Sequence, residues 1–492
     1  MRIIKHSIVS ILMILIATSA LSFASNDEMR GLWVASVYGI DYPSKPSTNP
    51  DVLKAEADKI IQTAVDAGMN AIFLQVRPTG DALYDSDIFP WSKFLTGTEG
   101  IAPENGFDPL AYWIERAHEN GIELHAWINP YRVTRDMSKT ETNPFSKLSS
   151  YNPAKLSQDL LVRYTDGNLY YNPGLPEVEK LIVSGIEEIL KSYDVDGIHF
   201  DDYFYPGSDF EDSKAYQTYA YSGESKDDFR RRVVTHLVKT VDASVHAVDP
   251  SVRFGISPFG IWANAAHLSG GSATRGNESY FSHYADTKYW VEQGYVDYIA
   301  PQIYWNIGFE IADYEVLAKW WSNVVANTDV DLYIGHAAYR TQYTDSSSAW
   351  YGVNEIKKQM TFNQTLAHYG GSIFYNYSAF ETNSDLITTV KAFSKPTVKY
   401  ENLYPAVDEL VVGDTVRLYV YAQKNILINT NIFGRFYFFT ATNETNSNGL
   451  TKFVANVPKI AFKGAETYRP LYRLRYDGEN HDLESSGILI LN

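Results

Sequence analysis

Gly197-Ile198-His199-Phe200-Asp201-Asp202-Tyr203-Phe204-Tyr205-Pro206 is a short apolar run that opens onto two adjacent carboxylates, two tyrosines and a proline. It reads as a buried strand ending at a site. Side chains alternate across a strand, so His199, Asp201 and Tyr203 are expected on one face, with Phe200 and Asp202 on the other. In a parallel barrel the acid, base and nucleophile groups sit at C-terminal strand ends and on the loops that follow. The plainer alternative is a carboxylate pair that caps the next helix or bonds a neighbouring arginine.

Outward from this run, 197–204, seven more apolar, β-rich runs recur at 31–37, 71–76, 123–129, 253–259, 298–305, 332–339 and 371–378. Helical patterns fill the gaps at 51–67, 109–120, 176–193, 226–248, 286–293, 313–327 and 352–368. Such alternation calls for a parallel sheet, and eight units call for a closed (β/α)8 TIM barrel over 25–396. Ala67-Gly68, Asn120-Gly121 and Gln293-Gly294 supply the helix stops. Beyond Lys395-Pro396 the pattern becomes short alternating segments, 415–422, 433–440, 451–457, 468–476 and 487–491, split by Asn, Gly and Asp turns. Residues 397–492 therefore read as an accessory β-sandwich of the fibronectin type III or immunoglobulin kind. Two long insertions, 134–175 and 208–228, are expected to wall a cleft on the barrel's top face.

The chain has 492 residues, enough for a barrel plus a module. Its first 24 residues run from Met1-Arg2-Ile3-Ile4-Lys5 through an apolar stretch to Leu21-Ser22-Phe23-Ala24, the pattern of a secretory signal cut after Ala24. An uncleaved anchor is the alternative, and no stable membrane insertion is expected after cleavage. With no cysteine there is no disulfide frame, which suits an exported chain of a bacterial periplasm or exterior. A formal charge of −17, or −19 once Arg2 and Lys5 leave with the signal, disfavours nucleic acid. The 37 Tyr and 10 Trp include rings that suit the C–H faces of sugars.

Polar residues can be gathered by strand end. The second strand offers Gln75, Arg77 and Asp81, the third Asn129, Tyr131 and Arg132, and the fourth Asp201, Asp202, Tyr203 and Tyr205. The sixth offers Gln302, Tyr304, Trp305 and Asn306, the seventh His336 and Tyr339, and the eighth Tyr375, Asn376 and Tyr377. Carboxylates, amides and rings together match a polyhydroxylated substrate. Glycoside cleavage needs one protonated carboxyl for the leaving oxygen and a second group that meets the oxocarbenium ion. Asp201 takes the second role; Asp202, Asp286 and Asp81 stand as candidates for the acid. His125, His199 and His336 lack the spacing of a metal set, so no metal or cofactor is expected. No nucleotide-binding glycine spacing and no Gly-x-Ser-x-Gly occurs.

Met29-Arg30-Gly31-Leu32-Trp33-Val34-Ala35, Phe73-Leu74-Gln75-Val76-Arg77-Pro78, Ala126-Trp127-Ile128-Asn129-Pro130-Tyr131, Asp201-Asp202-Tyr203 and Pro301-Gln302-Ile303-Tyr304-Trp305 together resemble the glycosyl hydrolase-like 10 family across the whole proposed barrel. The resemblance implies a secreted bacterial glycosidase. Members include envelope enzymes that cleave peptidoglycan glycan strands stripped of their stem peptides, and a trailing fibronectin-like module is common. The stretch from Asp196 to Asp201 is also similar to the fourth strand of retaining barrel glycosidases, which gives Asp201 a nucleophile role by resemblance. Tyr203 stands where a chitinase would carry its acid. Adjacent acids resemble those of hexosaminidases, where one orients the acetamido group and the next protonates the leaving oxygen.

The expectation is an exported glycoside hydrolase of peptide-free peptidoglycan or a related N-acetylhexosamine glycan. Asp201 and Asp202 form its catalytic pair, and Gln75, Arg77, Asn129, Tyr131, Tyr203, Tyr205, Gln302, Tyr304, Trp305 and Asn376 bind substrate. A lactyl carboxylate would need a cation, from Arg77, Arg132 or Arg275. The rivals are a sugar-binding barrel without turnover and a metal-dependent carbohydrate esterase or deacetylase.

Overall fold

The computed structural model describes residues 28–393 without a break, then 415–422, 427–432, 435–445, 451–462, 467–468, 471–476, 479–484 and 489–490. The expected leader, 1–24, and the junction at Lys395-Pro396 lie outside the described residues. Those described fall into two compact units, one holding 28–393 and the other everything from 415 on. Among them no helix is long and apolar enough to cross a membrane.

The first unit is a closed barrel of parallel strands: β1 (Met29–Val34), β2 (Ala71–Arg77), β3 (Glu123–Ile128), β4 (Gly197–Phe200), β5 (Arg253–Ile256), β6 (Tyr298–Ile299), β7 (Asp331–His336) and β8 (Gly371–Tyr375). Each pairs with its sequence neighbours, and β8 returns to β1 through Met29↔Gly371 to Trp33↔Tyr375. A main helix follows each strand: α1 (Pro50–Asp66), α2 (Pro109–Glu119), α3 (Pro176–Ser192), α4 (Lys226–Val248), α5 (Thr287–Gln293), α6 (Tyr314–Val325), α7 (Asn354–Asn363) and α8 (Ser384–Phe393).

Helix α2 shows how the outer layer forms. Asp108 accepts from the Ala111 N–H at 3.2 Å as the cap, and Pro109 takes the first position, where a missing N–H costs nothing. Leu110, Trp113, Ile114 and Ala117, spaced three and four apart, are buried against the barrel. Trp113 meets Tyr42 edge-on with centroids 5.0 Å apart. Aliphatic burial of this kind contributes about 1.5–3 kcal/mol per side chain. Losing the Trp113 ring would cost about 3–5 kcal/mol. Gly121 then turns the chain at φ +66°.

Inside the barrel, rings stand opposite glycines. His125 pairs with Gly197 and Tyr298 with Gly255, and a Cβ on either glycine would collide with the facing ring. Phe73, Tyr298, Tyr333 and Ile373 complete the filling. The interior is therefore closed below, and open space is left at the C-terminal strand ends.

Several strands stop earlier than their apolar runs. β4 ends at Phe200, β5 at Ile256 and β6 at Ile299. Pro258 and Pro301 follow two of these ends, and proline cannot donate to a ladder. Single bridges, Phe259↔Gln302 and Gln302↔Gly335, carry the alignment onward. Insertion 134–175 holds a hairpin, Leu161–Arg163 with Leu169–Tyr171, laid against Arg132 through the bridge to Tyr170. Insertion 208–228 is pinned by Asp212, whose two oxygens accept from Arg230 Nε and Nη2 at 2.9 and 2.7 Å.

The described residues of the second unit are mostly β-strand, with one short 3-10 helix at Lys459–Phe462. Thr415–Ala422, Thr451–Pro458 and Thr440–Thr445 form one antiparallel sheet. Arg435–Phe438, Leu427–Ile432, Leu471–Tyr476 and Glu479–Glu484 form another. Val416, Leu418 and Val420 pair with Val457, Ala455 and Phe453, and all six are buried, so one face of the first sheet is apolar. Three strands were not expected, Thr440–Thr445 among them, because the expected run 433–440 breaks after Phe438 and a further strand continues to Thr445. Asn429 and Asn431 mask Leu427–Ile432 as a turn, and Glu479–Glu484 is a polar edge strand, where charge discourages further pairing.

Candidate active site

A cavity of about 310 Å³ opens at the C-terminal ends of the barrel strands. Asp201, Asp202, Gln302 and Ser257 supply its polar lining. Trp33, Trp127, Tyr203, Phe259, Tyr304, Tyr339 and Tyr375 supply its rings. Tyr304 lies nearly parallel to Tyr375 at 6.2 Å, with Tyr339 edge-on to both at about 6 Å. Such a lining presents flat apolar faces beside hydrogen-bonding groups, as a pyranose requires.

The two carboxylates reach the cavity by different routes. β4 ends at Phe200, whose carbonyl accepts the Ser257 N–H at 2.8 Å, so the two-residue alternation governs Asp201 but not Asp202. Contrary to the expected opposite facing, a bend after Asp201 returns Asp202 to the same cavity.

Asp201 is 3% exposed and held by donors on both oxygens. Its Oδ1 accepts the Tyr203 N–H at 3.1 Å, and its Oδ2 accepts Asn129 Nδ2 in a short hydrogen bond. Asn129 is itself fixed, since its Oδ1 accepts Gln75 Nε2 at 2.7 Å and Arg132 Nη2 at 2.9 Å. Gln75 Oε1 in turn accepts the N–H groups of Ser36 and Val37 at 2.9 and 3.0 Å. Two donors on Asn129 Oδ1 leave its NH₂ no orientation but toward Asp201. The Trp127 indole N–H lies near enough to Asp201 to favour its charge, yet makes no full hydrogen bond. Burial raises the Asp201 carboxyl above the usual carboxylate range, and Arg132, the Tyr203 N–H and Asn129 offset part of that rise.

Asp202, 8% exposed, is pushed up to about 8 by burial and then by the charge of Asp201. Gln302, whose Nε2 donates to the Ser257 carbonyl at 2.8 Å, opposes that rise in part. Environments that push two adjacent carboxyls apart separate a charged partner from a proton donor. At neutral pH the proton belongs on Asp202.

Beneath them lies His199, fully buried and held well below its usual range by desolvation. Its Nε2 accepts from Trp33 Nε1 at 3.2 Å and meets Ser257 Oγ at 2.9 Å, which assigns the proton to Nδ1, 3.1 Å from the Tyr298 hydroxyl. His125 meets Tyr298 and Glu123, while His336 meets Gln359 and Ser372. His199 and His125 share the Tyr298 hydroxyl, while His336 belongs to a separate set with Gln359 and Ser372.

Other expected site residues stand elsewhere. Gln75 and Asn129 act behind Asp201 instead of lining the cavity. Arg77 is turned out of the barrel: a register shift between Gln75 and Arg77 inserts a residue, so its guanidinium stacks 3.6 Å over Phe89 beside Gly185 of α3. Tyr131 and Tyr205 are buried in the outer core, Tyr205 edge-on to Phe210 and Tyr284. Trp305 packs against that core beside Gly260 and does not line the cavity. Asn376 donates to Asp41 at 2.7 Å. Of the alternative acids, Asp81 is buried against Thr79, 2.6 Å away, and Asp286 caps α5 while accepting from Trp262 Nε1 at 2.9 Å. Neither lines the cavity. Trp33, Ser257 and Phe259, by contrast, come from the ends of β1 and β5, where no candidate was expected; the same strand-end rule applied to those two strands would have found them.

The glycosyl hydrolase-like 10 family matches residues 28–351. The chain belongs to that family. This glycoside hydrolase is 43% identical over 416 residues to the glycosyl hydrolase YngK of Bacillus subtilis (strain 168), across 81% of its own length and 79% of that protein. It is 39% identical over 367 residues to the glycosyl hydrolase DigH of Escherichia coli (strain K12), across 71% and 83%. Among solved structures it is similar to alpha-L-fucosidase isoenzyme 2 from Paenibacillus thiaminolyticus, with TM-score 0.45 and 15% identity over 74% of this chain and 49% of that one.

Proposed function

We propose that this glycoside hydrolase cleaves peptide-free peptidoglycan strands or a related N-acetylhexosamine glycan, outside the cytoplasm of a bacterium. The buried pair at the end of β4 carries the reading: burial and the charge of Asp201 push Asp202 up to about 8, while Arg132 and Asn129 favour the charged form of Asp201. Asp202 gives its proton to the glycosidic oxygen as the bond to the anomeric carbon breaks, so the leaving sugar departs as an alcohol. Asp201 meets the positive charge that develops at that carbon. Water supplies the new hydroxyl and restores the proton.

Support for the substrate class comes from the ring-walled cavity, which suits a sugar chain, and from family membership. The leader-like first 24 residues and the absence of cysteine support export to the periplasm or medium. The second unit fits an accessory fibronectin type III-like or immunoglobulin-like sandwich. The test is digestion of defined, peptide-free glycan strands followed by mass spectrometry. Products one or more disaccharides shorter support the reading; intact strands with cleavage of another glycan would keep the glycosidase and overturn the substrate.

A further inference from the structure

In a chain with a formal charge of −17, the segment after β3 carries two arginines: Arg132, 5.4 Å from the ring of Tyr203 in the cavity wall, and Arg135 three residues on. Arg132 is committed: its Nε donates to the Pro78 carbonyl and its Nη2 to Asn129, both at 2.9 Å. Arg135 is not. Among the described residues no carboxylate pairs with it, and the neighbouring Asp136 bonds Lys93 instead. Its guanidinium lies 5.8 Å from the ring of Tyr38, which is 53% exposed. The Tyr38 hydroxyl donates to the Arg135 carbonyl at 2.6 Å, and its ring meets Phe94 edge-on at 5.7 Å. Tyr38 sits at φ +59°, a left-handed conformation that side-chain-bearing residues seldom adopt. It lies one residue past Val37, whose N–H holds Gln75. Arg340, beside the lining ring of Tyr339, directs its Nε to that tyrosine's hydroxyl at 3.3 Å.

We propose that Arg135, steadied by Tyr38, forms a subsite beside the cavity, on the segments that follow β1 and β3, for a carboxylate carried by the glycan. A guanidinium with free donors recognises a carboxylate by a bidentate pair, and an adjacent exposed ring supports the sugar that bears it. The positive charge of Arg135 reaches Tyr203 in the cavity wall, where it counters the effect of Asp202 on the phenol. Arg77 is buried behind β2, and Arg275 pairs with the exposed Glu310 at 2.8 Å, so neither of those expected cations serves here. The inference rests on reading the cavity as a glycan-cleaving site. The acid-bearing unit is a lactyl ether or a uronic acid, and the chemistry at Arg135 is the same for both.

The experiment is calorimetric binding to the full-length Asp202→Asn protein. Two pairs of ligands and a reference are compared: an oligosaccharide with lactyl carboxyls against its carboxyl-reduced form, a uronate-containing oligosaccharide against its reduced form, and neutral N-acetylglucosamine oligomers as the reference. One acidic ligand should bind about tenfold more tightly than its reduced partner, and which one does names the source. Adding Arg135→Gln should bring that ratio to about one, and Arg135→Lys, which keeps the charge but loses the bidentate fork, should retain only part of it. A ratio near one for both acids before mutation overturns the inference, as does a ratio that survives Arg135→Gln. Failure of the glycosidase reading is separate: it shows as no cleavage by the unmutated protein of any glycan that binds.

Discussion

Replacing Asp201 by Asn removes the charge that helps hold the proton on Asp202. Two unit charges about 5 Å apart at an effective dielectric constant of about 20 interact by about 3 kcal/mol, or about 2 pH units. Asp202, now pushed up to about 8, should therefore fall to about 6, still above an ordinary carboxyl because burial is the larger cause. The consequence for catalysis is direct. At pH 7 a carboxyl with a pKa of about 8 is about nine-tenths protonated, whereas an ordinary one holds its proton less than about one time in a thousand. Carbon-13 NMR of labelled aspartates, titrated between pH 5 and 9 or so, reads the value without needing turnover, and Asp202→Asn assigns the signal. A carboxyl titrating near 8 in the native protein and near 6 in Asp201→Asn is expected. No change on losing Asp201 would refute the electrostatic coupling, and a native Asp202 titrating near 4 would refute its assignment as the acid.

Asn129→Ala removes the amide that orients Asp201 and should lower kcat about tenfold to a hundredfold with little change in KM, measured by steady-state hydrolysis of a soluble glycan. A rise in KM at constant kcat would instead make Asn129 a sugar ligand. Trp127→Ala should weaken binding of an oligosaccharide by about 1–3 kcal/mol in calorimetry, since the ring lines the cavity and is 7% exposed; unchanged affinity would assign it to packing. Stability should fall as pH rises from about 6.5 to 8. Asp41 at about 7 and Asp202 at about 8 are raised in the fold, so the native state binds protons that the unfolded state has released. The slope is about 1.4 kcal/mol per pH unit for each group while it remains protonated, and the buried, lowered His199 and His336 act only below about 6.5. Urea denaturation at several pH values checks this, and a stability that is flat or rises across that window contradicts it.

Barrel topology was legible because its signals are periodic and local. Helix caps such as Asp108 with Pro109, helix stops such as Gly121, and the run of inward glycines and rings all act within a few residues or across one strand pair. The site was legible in part. Asp201, Asp202, Tyr203, Gln302 and Tyr304 line the cavity as expected from strand ends, but period-two reasoning fails once the ladder stops, and so it misplaced Asp202. A single register shift sent Arg77 to the outer face, and nothing in Gln75-Val76-Arg77 announces it. Tyr131, Tyr205 and Trp305 have polar handles that suit a site equally well as a core; only the packing around Phe210, Tyr284 and Gly260 decides. The amide chain from Ser36 through Gln75 to Asn129 joins three strands, a convergence that no local pattern encodes.

In the proposed reaction Asp202 delivers the proton that lets the glycosidic bond break in this cavity. The most direct test compares Asp202→Asn with the native protein on two glycosides of one sugar, one with a sugar-like alcohol as leaving group and one with a strongly activated phenol. An acid matters only when the leaving oxygen needs a proton. With Asp202 as the acid, the loss should be about a thousandfold or more on the first and less than about tenfold on the second. Equal losses on both would contradict that role.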